Sequence, residues 1–197
     1  MAFFEEVPQG DGLEFALMYA EQHLAHWPAK LREFWGLETQ HPIWPLVRCL
    51  RMGREFRQFA YNDDIEALSN ITQLYGVAEH FPLKNIAAMP QLTHLNLHFC
   101  SGGGGIDVIG KCQHLTHLSF TYSSVWDFHF LGKLKELTHL KLENCRSVRD
   151  LRVLTKLKKI KQLQIVDCPN LEIRPQKLRM KKKKDIDRYL GRLARAY

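Results

Sequence analysis

One nine-residue unit recurs four times in this chain, and its spacing limits what the chain can fold into. The copies are Leu92-Thr-His-Leu95-Asn-Leu97-His-Phe-Cys100, Leu115-Thr-His-Leu118-Ser-Phe120-Thr-Tyr-Ser123, Leu137-Thr-His-Leu140-Lys-Leu142-Glu-Asn-Cys145 and Ile160-Lys-Gln-Leu163-Gln-Ile165-Val-Asp-Cys168. Their first apolar residues lie 23, 22 and 23 positions apart. A unit this short cannot bury an apolar face alone, so neighbouring units must stack on one continuous core. The segments between the copies repeat as strictly: Leu83, Ile106, Phe128 and Leu151 correspond, as do Ile86, Ile109, Leu131 and Leu154, and Met89, Cys112, Leu134 and Leu157. An apolar residue at every third position fits a tight 3₁₀-like arm that drops one side chain per turn into the core.

The pattern LxxLxLxx(N/C) at this period resembles the leucine-rich repeat family, in which each repeat is one short strand plus a return arm. With Val125-x-Asp127 and Val148-x-Asp150 ahead of two arms, it is similar to the short-repeat subclass found in bacterial internalins and in regulatory subunits of a protein phosphatase. The resemblance covers roughly residues 71–173. It implies an α/β fold: a right-handed leucine-rich-repeat solenoid with a short-stranded parallel sheet, closed by a helical N-terminal cap and a C-terminal capping helix, since stacked repeats leave raw apolar ends.

The expected divisions are a helical cap over 1–65, about five repeat strands over 66–173 and a basic capping helix over 174–197. Asp11 suits the cap of a helix running to about Trp27, with Leu13, Ala16, Leu17, Ala20 and Leu24 on one face. A second helix is expected from Ile43 to Ala60, with Pro42 and Pro45 at its start and Gly53 weakening its middle. Between them, Leu31-Arg-Glu-Phe34-Trp-Gly-Leu37 reads either as an outlying strand near 33–37 or as helix continuing through Phe34 and Trp35. It echoes Ile71-Thr-Gln-Leu74-Tyr-Gly-Val77, which sits 21 residues before Leu92 and reads as an ordinary strand. At the far end, Ile186, Tyr189, Leu190, Leu193, Ala194 and Tyr197 share one face of a helix.

Strand residues between the apolar ones point away from the core, onto the concave face of the implied sheet. One column there is His94, His117, His139 and Gln162; a second is Asn96, Ser119, Lys141 and Gln164, with Tyr75 beside Asn96; a third is His98, Thr121, Glu143 and Val166. Phe99 and Tyr122 stand just past consecutive strands. Aromatic side chains beside polar and charged ones make a reasonable protein-binding surface, so these columns are the candidate partner site. The three histidines invite a metal or pH-sensing reading, but copying of Leu-Thr-His with each repeat accounts for the column without a ligand, and no metal site or cofactor is expected. In the resembled family the position of Cys100, Ser123, Cys145 and Cys168 turns inward to satisfy loop backbone groups, which makes it structural. The glycines from Gly102 to Gly105 lack the following Lys-Ser/Thr of a phosphate loop and read as a permissive loop.

The net charge of +7 is not spread evenly. Residues 174–197 carry ten Lys/Arg against two Asp, a net of +8, so the remainder nets −1. Lys181, Lys182, Lys183 and Lys184 are therefore the candidate phosphate contacts of an alternative, nucleic-acid-associated function, or a nuclear-targeting patch in a eukaryotic source. Five cysteines without CxxC spacing suit reduced thiols, no apolar run reaches membrane-spanning length, and the first residues lack the features of a signal peptide. A cytoplasmic protein with no small-molecule substrate and no catalytic machinery is the expectation, of the kind that serves as a bacterial scaffold, effector or immunity protein.

Overall fold

The alternation of apolar and polar residues in each LxxLxL unit has the period of a strand, and each unit forms one. The computed structural model describes residues 49–52, 71–77, 83–101 and 105–196. The strands are β1 (Cys49–Met52), β2 (Gln73–Val77), β3 (His94–His98), β4 (His117–Thr121), β5 (His139–Glu143), β6 (Gln162–Val166) and β7 (Arg179–Met180). They lie side by side in chain order, with β1 to β6 parallel and β7 antiparallel to β6. The register pairs each repeat position with itself: Leu95 with Leu118, Leu118 with Leu140, and Leu140 with Leu163.

Among the described residues, four 3₁₀ arms return the chain: Leu83–Ala88, Ile106–Lys111, His129–Lys133 and Arg152–Lys156. All three apolar columns of the arms are buried, from Leu83 through Leu157. Sheet and arms thus clamp one apolar layer that runs the length of the stack, and its bulkiest section is Phe120 packed edge-on to Phe128 and Phe130.

The residue after each of β3 to β6 adopts a left-handed backbone: Phe99, Tyr122, Asn144 and Asp167 have φ of 52, 53, 52 and 52°. This is where the chain must turn inward while the sheet still uses its amide. Phe99 N–H donates to Thr121 O at 3.0 Å, Tyr122 to Glu143 O at 2.9 Å and Asn144 to Val166 O at 3.0 Å. The following residue then points into the turn. Ser123 Oγ donates to Cys100 O at 2.8 Å, Cys145 Sγ to Phe120 O at 3.6 Å and Cys168 Sγ to Leu142 O at 3.8 Å, so carbonyls at the strand exits find partners inside the core.

Two expectations need correction. Cys49–Met52, placed within the second helix, is a strand paired to β2 over Cys49 to Gln73 through Met52 to Gly76. The periodicity of Leu46, Val47 and Leu50 is compatible with either element, and the open hydrogen-bonding edge of β2 decides for strand. The rest of the N-terminal cap, including the 33–37 segment, lies outside the described residues. At the other end, the capping helix α1 spans Lys183–Ala194 rather than beginning at 174. Residues ahead of it supply β7, and Ile165 N–H donates to Leu178 O at 2.8 Å, which blunts the last parallel edge. Ile186, Tyr189 and Leu193 of α1 are buried against the stack, whereas Ala194 is exposed and Leu190 only half-buried. Lys181 to Lys184 face solvent. Among the described residues, no helix is long and apolar enough to cross a membrane.

Candidate functional site: the outer face of the sheet

The parallel register fixes what stands beside what on the outer face. Because His94, His117 and His139 are directly paired across β3, β4 and β5, their rings stack, with centroids 4.1 and 4.0 Å apart and interplanar angles of 10° and 9°. Rings this parallel aim their equivalent nitrogens in one direction, about a strand spacing apart. Three ligands to one zinc ion must instead converge on a point ~2.0–2.1 Å from each nitrogen. The stack is thus built for ring packing rather than for ligation.

Each ring is held by the threonine before it. Thr93, Thr116 and Thr138 place Oγ1 2.8 Å from Nδ1 of His94, His117 and His139. The same hydroxyls donate to the carbonyls of Thr72, Thr93 and Thr116 at 3.0, 3.1 and 3.0 Å. A hydroxyl has one proton and a carbonyl can only accept, so the threonine proton goes to the carbonyl and the ring must donate through Nδ1–H. This threonine ladder therefore fixes the Nδ1–H tautomer and leaves Nε2 as the position where a second proton is gained. Burial holds all three histidines below their usual pKa. The effect is largest at the middle ring, where burial and the two flanking imidazoles push His117 down to about 3. His94 is lowered further by His139, and His139 by Lys161. At neutral pH the column is an uncharged stack.

The middle column behaves differently from the sequence expectation of an accessible surface. Tyr75, Asn96, Ser119 and Gln164 point out of the core by register but are 6, 6, 0 and 4 % exposed. Each is hemmed in by the columns on either side and by its neighbours across the strands. Tyr75 also lies along its own strand, its hydroxyl donating to Gln73 Oε1 at 3.1 Å. Thr121 in the third column is buried as well, while His98 and Glu143 are half-buried. Lys141 reaches Glu143 at 2.5 Å, so this cation and anion offset one another on the face. Gln162 is half-buried at the end of the histidine column.

Among the described residues, two buried polar atoms at the centre have no hydrogen-bond partner: Asn96 Oδ1 and Ser119 Oγ. A buried hydroxyl that makes no bond loses its hydration without compensation. Replacing Ser119 by alanine should accordingly raise stability by about 1 kcal/mol, read as an upward shift in the urea midpoint. A drop of comparable size would mean that this hydroxyl is satisfied in solution.

At the rim where strands give way to arms, Phe99 and Tyr122 are 53 and 55 % exposed and stack on each other at 5.5 Å with an interplanar angle of 17°. The next two repeats carry Asn144 and Asp167 at this left-handed position, residue types that tolerate it. A bulky aromatic there costs backbone energy without burying its ring. One exposed aromatic was not singled out from the sequence: Trp126, 64 % exposed, four residues beyond Tyr122 on the exit loop. Its position before Asp127 in the arm-entry motif was the available signal. Burial raises the Cys100 and Cys112 thiols to about 11, so neither is poised as a nucleophile.

No family model and no curated protein sequence matches the chain. Several solved structures are similar to it. A leucine-rich repeat protein of Leptospira interrogans aligns at 18% identity and a TM-score of 0.42, over 54% of this chain and 28% of that one. Internalin F of Listeria monocytogenes aligns at 14% identity and a TM-score of 0.43, over 64% of this chain and 35% of its own. Internalin C2 of the same organism aligns at 16% identity and a TM-score of 0.40, over 85% and 87%. This chain therefore spans about a third or less of the first two proteins' length. The assignment of the fold rests on the repeat geometry itself.

Proposed function

We propose that this leucine-rich-repeat solenoid is a non-catalytic binding module whose outer sheet face, with the aromatic rim beside it, holds a protein partner. The observation that carries the reading is the Phe99–Tyr122 pair. Two large apolar rings are held exposed, stacked and in a left-handed backbone at consecutive repeats, an arrangement that costs folding energy and gains no burial. Exposed aromatics with few rotatable bonds are the residue type that concentrates binding energy in protein interfaces. The uncharged histidine stack and the paired Lys141 and Glu143 on the sheet face impose no strong net charge, which favours a partner recognised by shape and apolar contact. A scaffold, effector or immunity role would use such a face.

The test is a double substitution, Phe99→Asn with Tyr122→Asn, which installs residue types already present at this position in the next two repeats. Relief of backbone strain offsets the lost ring stacking, so thermal stability should stay within about 1 kcal/mol of wild type. Affinity capture followed by mass spectrometry should then recover wild-type partners poorly. Equal recovery by the folded variant would remove the rim from the proposal.

A further inference from the structure

The basic character of the chain is not confined to its last residues. Residues 133–197 hold 20 Lys/Arg against 7 Asp/Glu, a net of +13, and residues 1–132 hold 8 against 14, a net of −6. In the last repeats much of this charge is uncompensated. Arg146, Arg149, Lys156, Lys181, Lys182 and Arg195 are exposed and form no side-chain ion pair among the described residues.

A groove of about 430 Å³ lies on this flank, between the exit loops of the repeats that follow β4 and β5. One wall carries the exposed indole of Trp126, and the other carries Arg149, which occupies the same repeat position 23 residues later. Phe128 and Val153 line it. Its two carboxylates are already engaged. Asp127 accepts from the His129 amide at 2.8 Å and from the His129 ring, and Asp150 accepts from Arg152 through N, Nε and Nη2 at 2.8, 2.9 and 2.7 Å. Arg152 also donates through Nη1 to Ala196 O at 3.3 Å, which joins the groove to the C-terminal end of α1 with its exposed Arg188, Arg192 and Arg195.

We propose that this flank binds single-stranded nucleic acid, with one base stacked on Trp126 and the phosphodiester backbone running over Arg149 toward α1. An exposed aromatic platform beside exposed cations such as Arg149 and Arg195 is the arrangement that holds a single strand without reading its sequence. A duplex keeps its base faces hidden, so it would leave the indole unused. An acidic protein would need a broad apolar centre to desolvate, and Trp126 is the one large apolar side chain of the groove lining that is exposed. None of the residues lining this groove belongs to the sheet face or to the Phe99–Tyr122 pair, so the proposal does not rest on that face binding protein.

The experiment is fluorescence anisotropy on the full chain, with a labelled oligothymidylate of about 15 nucleotides and a duplex of equal length, over a salt series. The single strand should bind more tightly than the duplex, with log K falling linearly in log salt. Trp126→Ala should weaken single-strand binding about tenfold with the salt slope unchanged, and Arg149→Gln should make the slope shallower by about 0.7. Both side chains are exposed, so neither change threatens the fold. Several results would overturn the proposal: no oligonucleotide binding at low salt, Trp126→Ala binding as tightly as wild type, or equal affinity for the duplex. Loss of binding only on converting Lys181 to Lys184 to glutamine would assign the contact to those lysines alone. Binding of polyglutamate in place of oligonucleotide would identify an acidic protein as the partner.

Discussion

Phe120→Ala should cost the fold about 3 to 5 kcal/mol, read as a lowered urea midpoint. The ring has no exposed surface, sits in the core column between Leu97 and Leu142 of the neighbouring strands, and packs edge-on to Phe128 at 5.5 Å and Phe130 at 6.3 Å. Those two rings come from the arm side of the same repeat, so the cavity left by truncation is walled by sheet and arm together and cannot close by a small shift of one element. Phe120→Leu makes the position match Leu97 and Leu142 and should cost no more than about 1.5 kcal/mol. In a stack where each repeat touches only its neighbours, the alanine variant should also lose cooperativity at the middle of the array before the ends. If alanine and leucine proved equally mild, the three phenylalanines would not form the keystone inferred from their packing.

Acid should loosen the solenoid well before its carboxylates titrate. The folded-state pKa values of His94, His117 and His139 are lowered, so the folded state binds fewer protons than the unfolded chain once pH drops below the ordinary histidine value of ~6.5. The stability contributed by the neutral stack is complete above that value. It is lost as pH falls toward the folded value, which for His117 is about 3. The full linkage amounts to about 1.4 kcal/mol per pH unit and ring, and solvent screening at half-buried rings brings the expected loss nearer 1 to 2 kcal/mol for His117 between pH 6.5 and 4. Asp127 and Asp150, held low by His129 and Arg152, lose their contributions only as pH falls below ~4, so the two effects separate. Thermal unfolding across pH 7 to 4.5 checks this, and His117→Asn should flatten the profile in that window. An unchanged slope would show that the stack does not titrate with folding.

Much of this architecture is legible in the repeats because each local choice agrees with the others. Leu118, Leu140 and Leu163 fall in one column simply because the register of a parallel sheet copies the period of the sequence. The inward role of Ser123, Cys145 and Cys168 follows from the same copying. The histidine column was visible in sequence, but its stacking and its threonine-fixed tautomer needed the distances. Tyr75 shows the opposite case: its outward register was correct, and its burial came from neighbours that sequence spacing does not place.

The sequence by itself determined the periodic parts: the strand and arm of each repeat, the apolar columns that join them, and the split of each strand into inward and outward residues. These depend on spacing alone. Only the tertiary structure decided the parts that break the period. Cys49–Met52 became a strand because β2 offered an open edge, and Arg179–Met180 formed β7 because β6 offered another. Trp126 and Arg149 became the two walls of one groove because adjacent repeats bring positions 23 residues apart to neighbouring loops. Hydrogen-bonding edges and shared grooves are properties of assembled repeats, and no single repeat encodes them.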